Sequence, residues 1–322
     1  MAVCGGDAAN EETREHVEMY RGLLRTLLMN KRTITAEKKR LLREVRRENG
    51  VPDAVHTALL GKFGWSEDEY EDGERAAPAE DDADLPEERA ALASPDGFAL
   101  VWLEKGHLSA SSSGSCSSGS SGSSSEADKA RENVFGRVCM RFFQTMAKAQ
   151  GNFTVDAVGV VANARLRARY AALRAEYAAQ GKDGEQWGFH GTGAAAVAAI
   201  VRTGFLAPGE IRAANRGRAR RSKIRVLDSG FFGSGIYFSD YSDYAMFYSD
   251  TRGSNEILLC QLLPGRAYRC TARMDGRSNM PGYDSHISPG GNEIVIFNPA
   301  ACLPRYIIRF SYQPDSSRQQ ES

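Results

Sequence analysis

Gly188-Phe189-His190-Gly191-Thr192-Gly193 runs directly into Ala194–Thr203, an apolar and alanine-rich stretch with helical spacing. A short strand over Trp187–His190 is therefore expected to end in a glycine-flanked turn that opens a helix. Downstream, apolar runs of four to seven residues alternate with glycine and turn residues. They predict strands over Gly235–Phe238, Ile257–Leu263, Glu293–Phe297 and Tyr306–Tyr312. Ser242–Ser249 reads as one more helix, while Val134–Ala149 and Asp156–Ala179 upstream read as helix-prone and Ala/Arg-rich. Few of these strands are separated by a crossover helix. The expected class is thus α+β, with mixed, largely antiparallel sheets and flanking helices, rather than a doubly wound sheet.

The rest of the chain has a different character. The 322 residues carry zero formal net charge and 42% hydrophobic residues, and the length suggests two domains. The zero is a cancellation: residues 1–130 hold 16 Lys+Arg against 25 Asp+Glu, whereas residues 131–322 hold 25 against 16. Residues 1–75 read as a small helical module. Val17, Tyr20, Leu24, Leu27 and Leu28 have helical spacing. A second helix should start near Thr35 and stop at Gly50, and Ser66 with Glu69 forms a capping-box pattern for a last short helix. The Met29–Thr33 link contains no carboxylate, so a calcium loop is not expected there.

Residues 76–130 read as linker, first acidic and then Ser/Gly-rich. Glu67–Arg89 contains twelve acidic residues and two arginines, and Ser109–Ser125 contains twelve serines and three glycines, the composition of a disordered tether. Phe98–Leu103, a short apolar patch between them, has no assignment. Residues 131–322 form the second expected domain.

Several classes are excluded or disfavoured. No stretch has the length and apolarity of a membrane-spanning helix. Met1–Tyr20 carries Glu and Arg and lacks an apolar run, so no secretory leader is expected. The six cysteines include no CxxC pair and no histidine clusters beside them, which points to reduced thiols and an intracellular protein, cytoplasmic or nuclear. Gly191-x-Gly193-x-x-Ala196 also fits a loose dinucleotide-binding turn, with Glu210 at about the right distance for its acidic residue. Glu210 follows Pro208-Gly209 with no strand leading into it, which weakens that reading.

Two further stretches carry chemistry. In Gly230-Phe231-Phe232-Gly233-Ser234-Gly235-Ile236-Tyr237-Phe238-Ser239, Tyr237 lies on a strand, and Tyr248 lies on the helix after it. Two such tyrosines would be able to sandwich a planar ring. In Tyr283-Asp284-Ser285-His286 and Asn292-Glu293-Ile294-Val295-Ile296-Phe297, a carboxylate opens an apolar strand, where a buried charge would need partners. Each stretch also reads as plain structure: His190 as a hydrogen-bonded framework histidine, the tyrosines as core, and Glu293 as an exposed strand start.

Taken together, His190-Gly191-Thr192, Gly235-Ile236-Tyr237-Phe238-Ser239 and Asn292-Glu293-Ile294-Val295-Ile296 resemble the catalytic domain of the poly(ADP-ribose) polymerase-like ADP-ribosyltransferases. The Tyr-Asp-Ser loop and Leu303-Pro304-Arg305-Tyr306-Ile307-Ile308 strengthen the likeness, which covers roughly Phe189–Phe310. The resemblance implies a His190–Tyr237–Glu293 triad and NAD as substrate without a metal. It implies that Gly191 holds the nicotinamide carboxamide through its backbone and that Tyr237 and Tyr248 stack on the ring. His190 would bond the adenosine ribose, and Glu293 would accept from the nicotinamide ribose and stabilise an oxocarbenium-like state. Thr192, Phe238 and Ala245 complete the implied cofactor-binding set. Ala245 departs from the pattern, because many members carry a serine there that bonds the carboxamide; one contact worth about 0.5–1.5 kcal/mol would be missing.

The implied activity is transfer of ADP-ribose to an acceptor protein, automodification of the chain included. Glu293 resembles members that elongate chains, whereas the Tyr-Asp-Ser loop and the Leu-Pro strand resemble members that add one unit; mono-transfer is weakly favoured. A silent NAD- or ADP-ribose-binding module and an NAD glycohydrolase are the alternatives. Arg212–Arg225 holds seven basic residues and no acid, and by position resembles the loop over the adenosine end of the cofactor. Cofactor or acceptor contact, a solvated loop and nucleic-acid contact remain open for it. No upstream module for nucleic acid is recognisable, and the stretch between Ser125 and His190 is too short for the helical regulatory domain of the DNA-dependent members.

Overall fold

The computed structural model describes residues 16–17, 19–24, 27–28, 34–62, 65–73, 85–105, 126–146, 152–182, 184–207, 209–211, 216 and 230–313. The Met29–Thr33 link, the Ser109–Ser125 tract and, apart from the exposed Arg216, the Arg212–Arg225 run lie outside them. The chain divides into two compact units, Met1–Asp82 and Ala83–Ser322.

In the first unit, residues 16–17, 19–24 and 27–28 are helical, followed by α1 (Ala36–Glu48), α2 (Asp53–Lys62) and α3 (Glu67–Asp72). The capping residues are those the sequence announces. The Thr35 side chain accepts from the Lys38 N–H, and Ser66 and Glu69 form a reciprocal capping box. Tyr20, Leu24, Leu28, Leu42, Leu60, Trp65 and Tyr70 make a small closed core. Within it the Tyr20 hydroxyl bonds His56 Nδ1 at 2.8 Å, and burial lowers the affinity of that imidazole for a proton.

The second unit comprises α4 (Pro86–Leu92), β1 (Phe98–Glu104), α5 (Glu126–Gln144), β2 (Asn152–Asn163), α6 (Ala164–Ala179), β3 (Gln186–Gly191), α7 (Ala194–Thr203), β4 (Ile236–Phe238), α8 (Ser242–Asp250), β5 (Glu256–Leu262), β6 (Ala267–Arg269), β7 (Ser285–Ile287), β8 (Ile294–Ile296) and β9 (Cys302–Gln313). One five-stranded sheet has the order β1-β2-β9-β5-β3, antiparallel throughout. A four-stranded sheet has the order β4-β8-β7-β6, in which only β6 and β7 run parallel. Phe189 and Ser239 bridge the two sheets through a pair of backbone hydrogen bonds of 2.8 and 2.9 Å. The α+β expectation is met.

Two expectations are not. The helix read over Asp156–Ala179 begins at Ala164; the residues before it form β2, an inner strand between β1 and β9. Val155, Ala157, Val158, Val160 and Val161 are all buried, so both faces of β2 are covered and the period-two alternation disappears. Its branched side chains suit a covered strand better than a helix. The switch to helix falls at Asn163, whose side chain accepts from the Leu166 N–H and donates to the carbonyls of Val201 and Arg202.

The second correction concerns the linker read over 76–130. Residues 86–104 belong to the folded unit: α4 packs on β2, and β1 pairs along its whole length with β2. What holds them is ionic as well as apolar. Glu88 on α4 is 1% exposed and bonds Arg305 at 3.2 Å and Arg167 at 3.1 Å. Arg305 is also 1% exposed, and its other terminal nitrogen donates to Gln261 at 2.9 Å. It can face α4 because the β5–β9 register shifts there: Leu259 pairs Tyr306 while Cys260 pairs Pro304, leaving Arg305 unopposed. The same bulge accommodates a proline that has no N–H for the ladder. The unit that carries the site thus extends N-terminal to 131, the boundary read from the sequence.

Candidate active site

The first functional stretch is placed by β3. Its pairing with β5 runs from Gln186↔Leu262 to Gly191↔Ile257, so His190-Gly191 stand at the strand's end, next to α7. His190 Nδ1 lies 2.8 Å from the Tyr237 carbonyl. A carbonyl only accepts, so Nδ1 carries the proton and Nε2 keeps a lone pair. Phe205 meets the imidazole edge-to-face at 5.1 Å, and Phe238 lies tilted against it at 5.5 Å. Burial among these rings lowers the pKa of His190 to about 4, with Arg252 pushing in the same direction and the bond to Tyr237 opposing it. His190 is therefore neutral at physiological pH, and Nε2 is an acceptor that makes no protein hydrogen bond among the described residues.

Gly191 is required by close approach. A β-carbon there would lie 1.8 Å from the Ala245 carbonyl oxygen and 3.1 Å from Tyr248 Cβ. The β3 end is thereby pressed against α8. Thr192 follows, 4% exposed, its hydroxyl held by Arg252 at 2.6 Å.

The second stretch supplies β4 and α8. The Tyr237 hydroxyl donates to the Gly233 carbonyl and accepts from the Phe232 N–H, both at 2.8 Å. Its polar capacity is spent on the loop before the strand, which leaves the ring as the group it can offer a ligand. Gly233 has φ +119°, and a β-carbon there would lie 2.8 Å from Phe297 and 3.0 Å from His286 Nδ1. His286 in turn bonds the Phe232 carbonyl and accepts from the Met280 N–H, so a fully buried imidazole locks that loop.

On α8, Ala245 is 2% exposed and its methyl belongs to the core. Tyr248, one turn after Tyr244, meets it edge-to-face at 5.6 Å, and their hydroxyls are 3.5 Å apart. Phe238 is 2% exposed and packed in the core behind His190, so it reaches the site through that ring.

The third stretch brings Glu293. It directly precedes β8, which pairs with β4 so that Tyr237 opposes Val295. Glu293 is 8% exposed. Its backbone exchanges bonds with Ser288: the Ser288 N–H donates to the Glu293 carbonyl, and the Glu293 N–H donates to the Ser288 hydroxyl. Burial, the bond to Tyr248 and the nearby Glu293 charge all raise the pKa of the Tyr244 phenol, which places that hydroxyl close to the carboxylate. Four elements therefore converge. β3 is joined to β4 through His190, to α8 through Gly191, and α8 to the head of β8 through Tyr244. The sequence reading places Tyr244 on the helix but gives it no site role; its one-turn spacing from Tyr248 was the available signal.

The ends of β3 and β4, the helix α8 and the head of β8 thus carry a neutral imidazole, a glycine at close approach, two tyrosines and a nearly buried carboxylate. The profile of the poly(ADP-ribose) polymerase catalytic domain matches residues 133–294, and the chain belongs to that family, whose substrate is NAD. No curated protein matches the chain. Among the described residues no group of three or more His, Cys, Asp or Glu side chains could hold a metal ion, and no helix is long and apolar enough to cross a membrane.

Proposed function

We propose that this chain transfers ADP-ribose from NAD to a protein acceptor, with His190, Tyr237 and Glu293 as its triad. The observation that carries the reading is the convergence of the three sequence stretches on α8, with Glu293 enclosed beside Tyr244. The residues suit the substrate. Gly191, at the end of β3, is placed to present its backbone N–H and C=O to a carboxamide. The rings of Tyr237 and Tyr248 supply the stacking surface. His190 Nε2, unprotonated, accepts from a ribose hydroxyl, as Thr192 lies beside it.

In NAD the leaving nicotinamide carries positive charge on its ring nitrogen, and bond cleavage moves that charge to the ribose. A carboxylate bonded to the ribose 2′-hydroxyl interacts more strongly with that cation than with the ground state, which is the differential binding that accelerates a reaction. Glu293, nearly buried, acts in a low-dielectric setting where the interaction is strongest. Ala245 has no hydroxyl for the carboxamide, so the Gly191 backbone carries the amide recognition.

Transfer of one unit fits this site better than elongation. Glu293 is only 8% exposed, so little of its carboxylate remains for orienting a second nucleotide. The test uses NAD labelled in the adenylate part. Nicotinamide release with label on protein supports transfer, and mass spectrometry of the product reads one unit or many. Release with all label in free ADP-ribose indicates a glycohydrolase; binding without release indicates a silent module.

A further inference from the structure

We propose that the connection between β6 and β7 is a docking surface for an acidic segment of the acceptor protein, with the guanidinium groups of Arg269 and Arg277 as its specificity-determining charges. The inference rests on the transferase reading above. Residues 269–284 touch both loops that lead into the site. On one side, the Met274 N–H donates to the Phe231 carbonyl and the Ser234 N–H to the Arg277 carbonyl, each at 2.7 Å, and the Gly276 N–H donates to the Gly230 carbonyl at 3.1 Å. These bonds pin the 274–277 turn to the loop that the Tyr237 hydroxyl holds through Phe232 and Gly233. On the other side, β6 runs parallel to β7 with Arg269 opposite Ile287, the residue before the 288–292 turn that delivers Glu293. The Arg269 guanidinium reaches over that turn: a β-carbon on Gly291 would lie 3.5 Å from its Nη1.

Charge decides what such a surface takes. Arg266, Arg269, Arg273 and Arg277 are all exposed. Arg273 is already engaged: its guanidinium bonds Asp275 at 2.8 and 3.2 Å and lies 4.1 Å from the centroid of the Phe231 ring. Asp284, the other acid of the connection, bonds Lys182 at 3.1 Å and accepts from the Arg266 N–H at 2.8 Å. Arg269 and Arg277 have no carboxylate partner among the described residues. Two uncompensated cations therefore border the loops that precede Tyr237 and Glu293. In the transfer, the bond from ribose C1′ to the nicotinamide nitrogen breaks and nicotinamide leaves with the electron pair. The acceptor nucleophile bonds C1′ and gives its proton to solvent. That nucleophile must come to the carbon beside Glu293, so the residues flanking it in its own chain pass the 288–292 turn. Carboxylates among them match the guanidinium groups in charge and in bidentate geometry. Arg266 stands just before the other end of β6, its head 5.7 Å from the Tyr283 ring centroid. It is about 10 Å further along the strand, roughly one Debye length at physiological salt, and serves as the charge-matched control.

The experiment uses the full chain and two fluorescent peptides of equal length. Both carry the same central Ser, Cys, Lys, Arg and Glu, and they differ only in flanks of Asp or of Asn. Peptide affinity is read by anisotropy with a non-hydrolysable NAD analogue present, and label transfer from NAD is measured in parallel. An exposed ion pair is worth a factor of about 1.5–5 in an equilibrium constant, so two should make the wild type prefer the Asp flanks by about 3- to 20-fold, and less at high salt. Arg269→Glu combined with Arg277→Glu should reverse that order, whereas Arg266→Glu should keep it within about twofold of wild type. Nicotinamide release without peptide should stay within about twofold in every variant, since neither arginine is assigned to the cofactor. Equal affinity for the two peptides in the wild type overturns the proposal, as does an unchanged preference in the double variant. An effect of Arg266→Glu as large as that of the double variant overturns it too, because net charge and not position would then be at work. Displacement of the Asp-flanked peptide by a lower concentration of a single-stranded oligonucleotide of equal charge assigns the surface to nucleic acid and likewise overturns it. A wild type that shows the peptide preference but transfers no label sinks the transferase reading and leaves the docking surface standing; transfer without preference does the reverse.

Discussion

Removing the Glu88 carboxylate tests whether residues 86–104 belong to the catalytic unit. Glu88 and Arg305 are each 1% exposed and 3.2 Å apart, and Arg167 approaches the same oxygen at 3.1 Å. Deleting one partner of such a pair leaves an unpaired buried charge, which costs about 3–5 kcal/mol. In Glu88→Gln the neutral amide still accepts one bond, so the loss should fall at the lower end, about 3 kcal/mol. For a unit of this size each kcal/mol moves the midpoint by about 2–4 °C, giving a drop of about 6–12 °C. Arg305→Met leaves Glu88 its second partner, Arg167 at 3.1 Å, and should cost no more than Glu88→Gln. The double variant Glu88→Leu with Arg305→Met removes both charges and should regain most of the loss, since a buried pair exchanged for apolar groups is often close to neutral. Calorimetric or fluorescence-monitored unfolding of a chain covering Ala83–Ser322 gives all four midpoints. Glu88→Gln within about 2 °C of wild type, or a double variant that loses the sum of the singles, would refute the account of α4 as an ion-locked part of the sheet.

Other outcomes follow from the site. Gly191→Ala places a methyl 1.8 Å from a backbone carbonyl that cannot swing away, so β3 and α8 must part. Overpacking of this kind costs about 1–3 kcal/mol, and NAD-analogue affinity should collapse with it; unchanged affinity by calorimetry would contradict the close approach. Glu293→Gln should lower nicotinamide release by at least about 100-fold with affinity nearly kept, because the charge acts in the transition state; near-full turnover would remove Glu293 from the triad. His190 has its pKa lowered from 6.5 to about 4 in the folded chain. The unfolded chain therefore binds more protons between those values. The stability this imidazole contributes is whole above about pH 6.5, shrinks as pH falls toward 4, and changes no further below it. His190→Gln should flatten that part of the midpoint-versus-pH curve; an unaltered slope would show that His190 is not held neutral.

What the sequence shows of this fold depends on how local each cause is. α7 occupies the predicted Ala194–Thr203, and the caps Thr35 and Ser66 act where the sequence places them, because capping and helical spacing are read within a few residues. β5 and β4 are likewise legible as short apolar runs between glycines. β2 is not, because cover on both faces erases its alternation, and only the partners β1 and β9 reveal that cover. Glu88 is the extreme case. Inside an acidic run it resembles its solvated neighbours, and the arginine that buries it is 217 residues away. The site follows the same rule. His190, Tyr237 and Glu293 stand in stretches with distinctive chemistry, whereas Tyr244 lies in the same stretch as Tyr237 and is marked out only by meeting the carboxylate at the head of another strand.

This pattern explains why one helix organises the whole candidate site. α8 is nine residues long, too short to be stable alone, and its form must come from packing. Met246 and Ala245 supply that packing on the core side. The Ser242 hydroxyl anchors the helix start to the Phe142 carbonyl at 2.7 Å, and the Ser249 hydroxyl anchors its end to the Glu256 carbonyl at 2.8 Å. The opposite face is then free to carry Tyr244 and Tyr248, and the Ala245 carbonyl between them sets the distance to Gly191. A sideways shift of α8 would therefore disturb carboxamide backbone, stacking ring and carboxylate together. The two serine anchors, remote from any substrate contact, should for that reason be felt in catalysis. Ser242→Ala removes the bond to α5 and leaves the Phe142 carbonyl with the Thr145 hydroxyl as its side-chain donor, a cost of about 0.5–1.5 kcal/mol in stability. If α8 is the common support, analogue affinity and turnover both fall in Ser242→Ala, and both recover in Ser242→Thr if its hydroxyl restores the bond. If turnover is untouched while the midpoint drops, the helix is held by its other contacts and the site does not depend on this anchor.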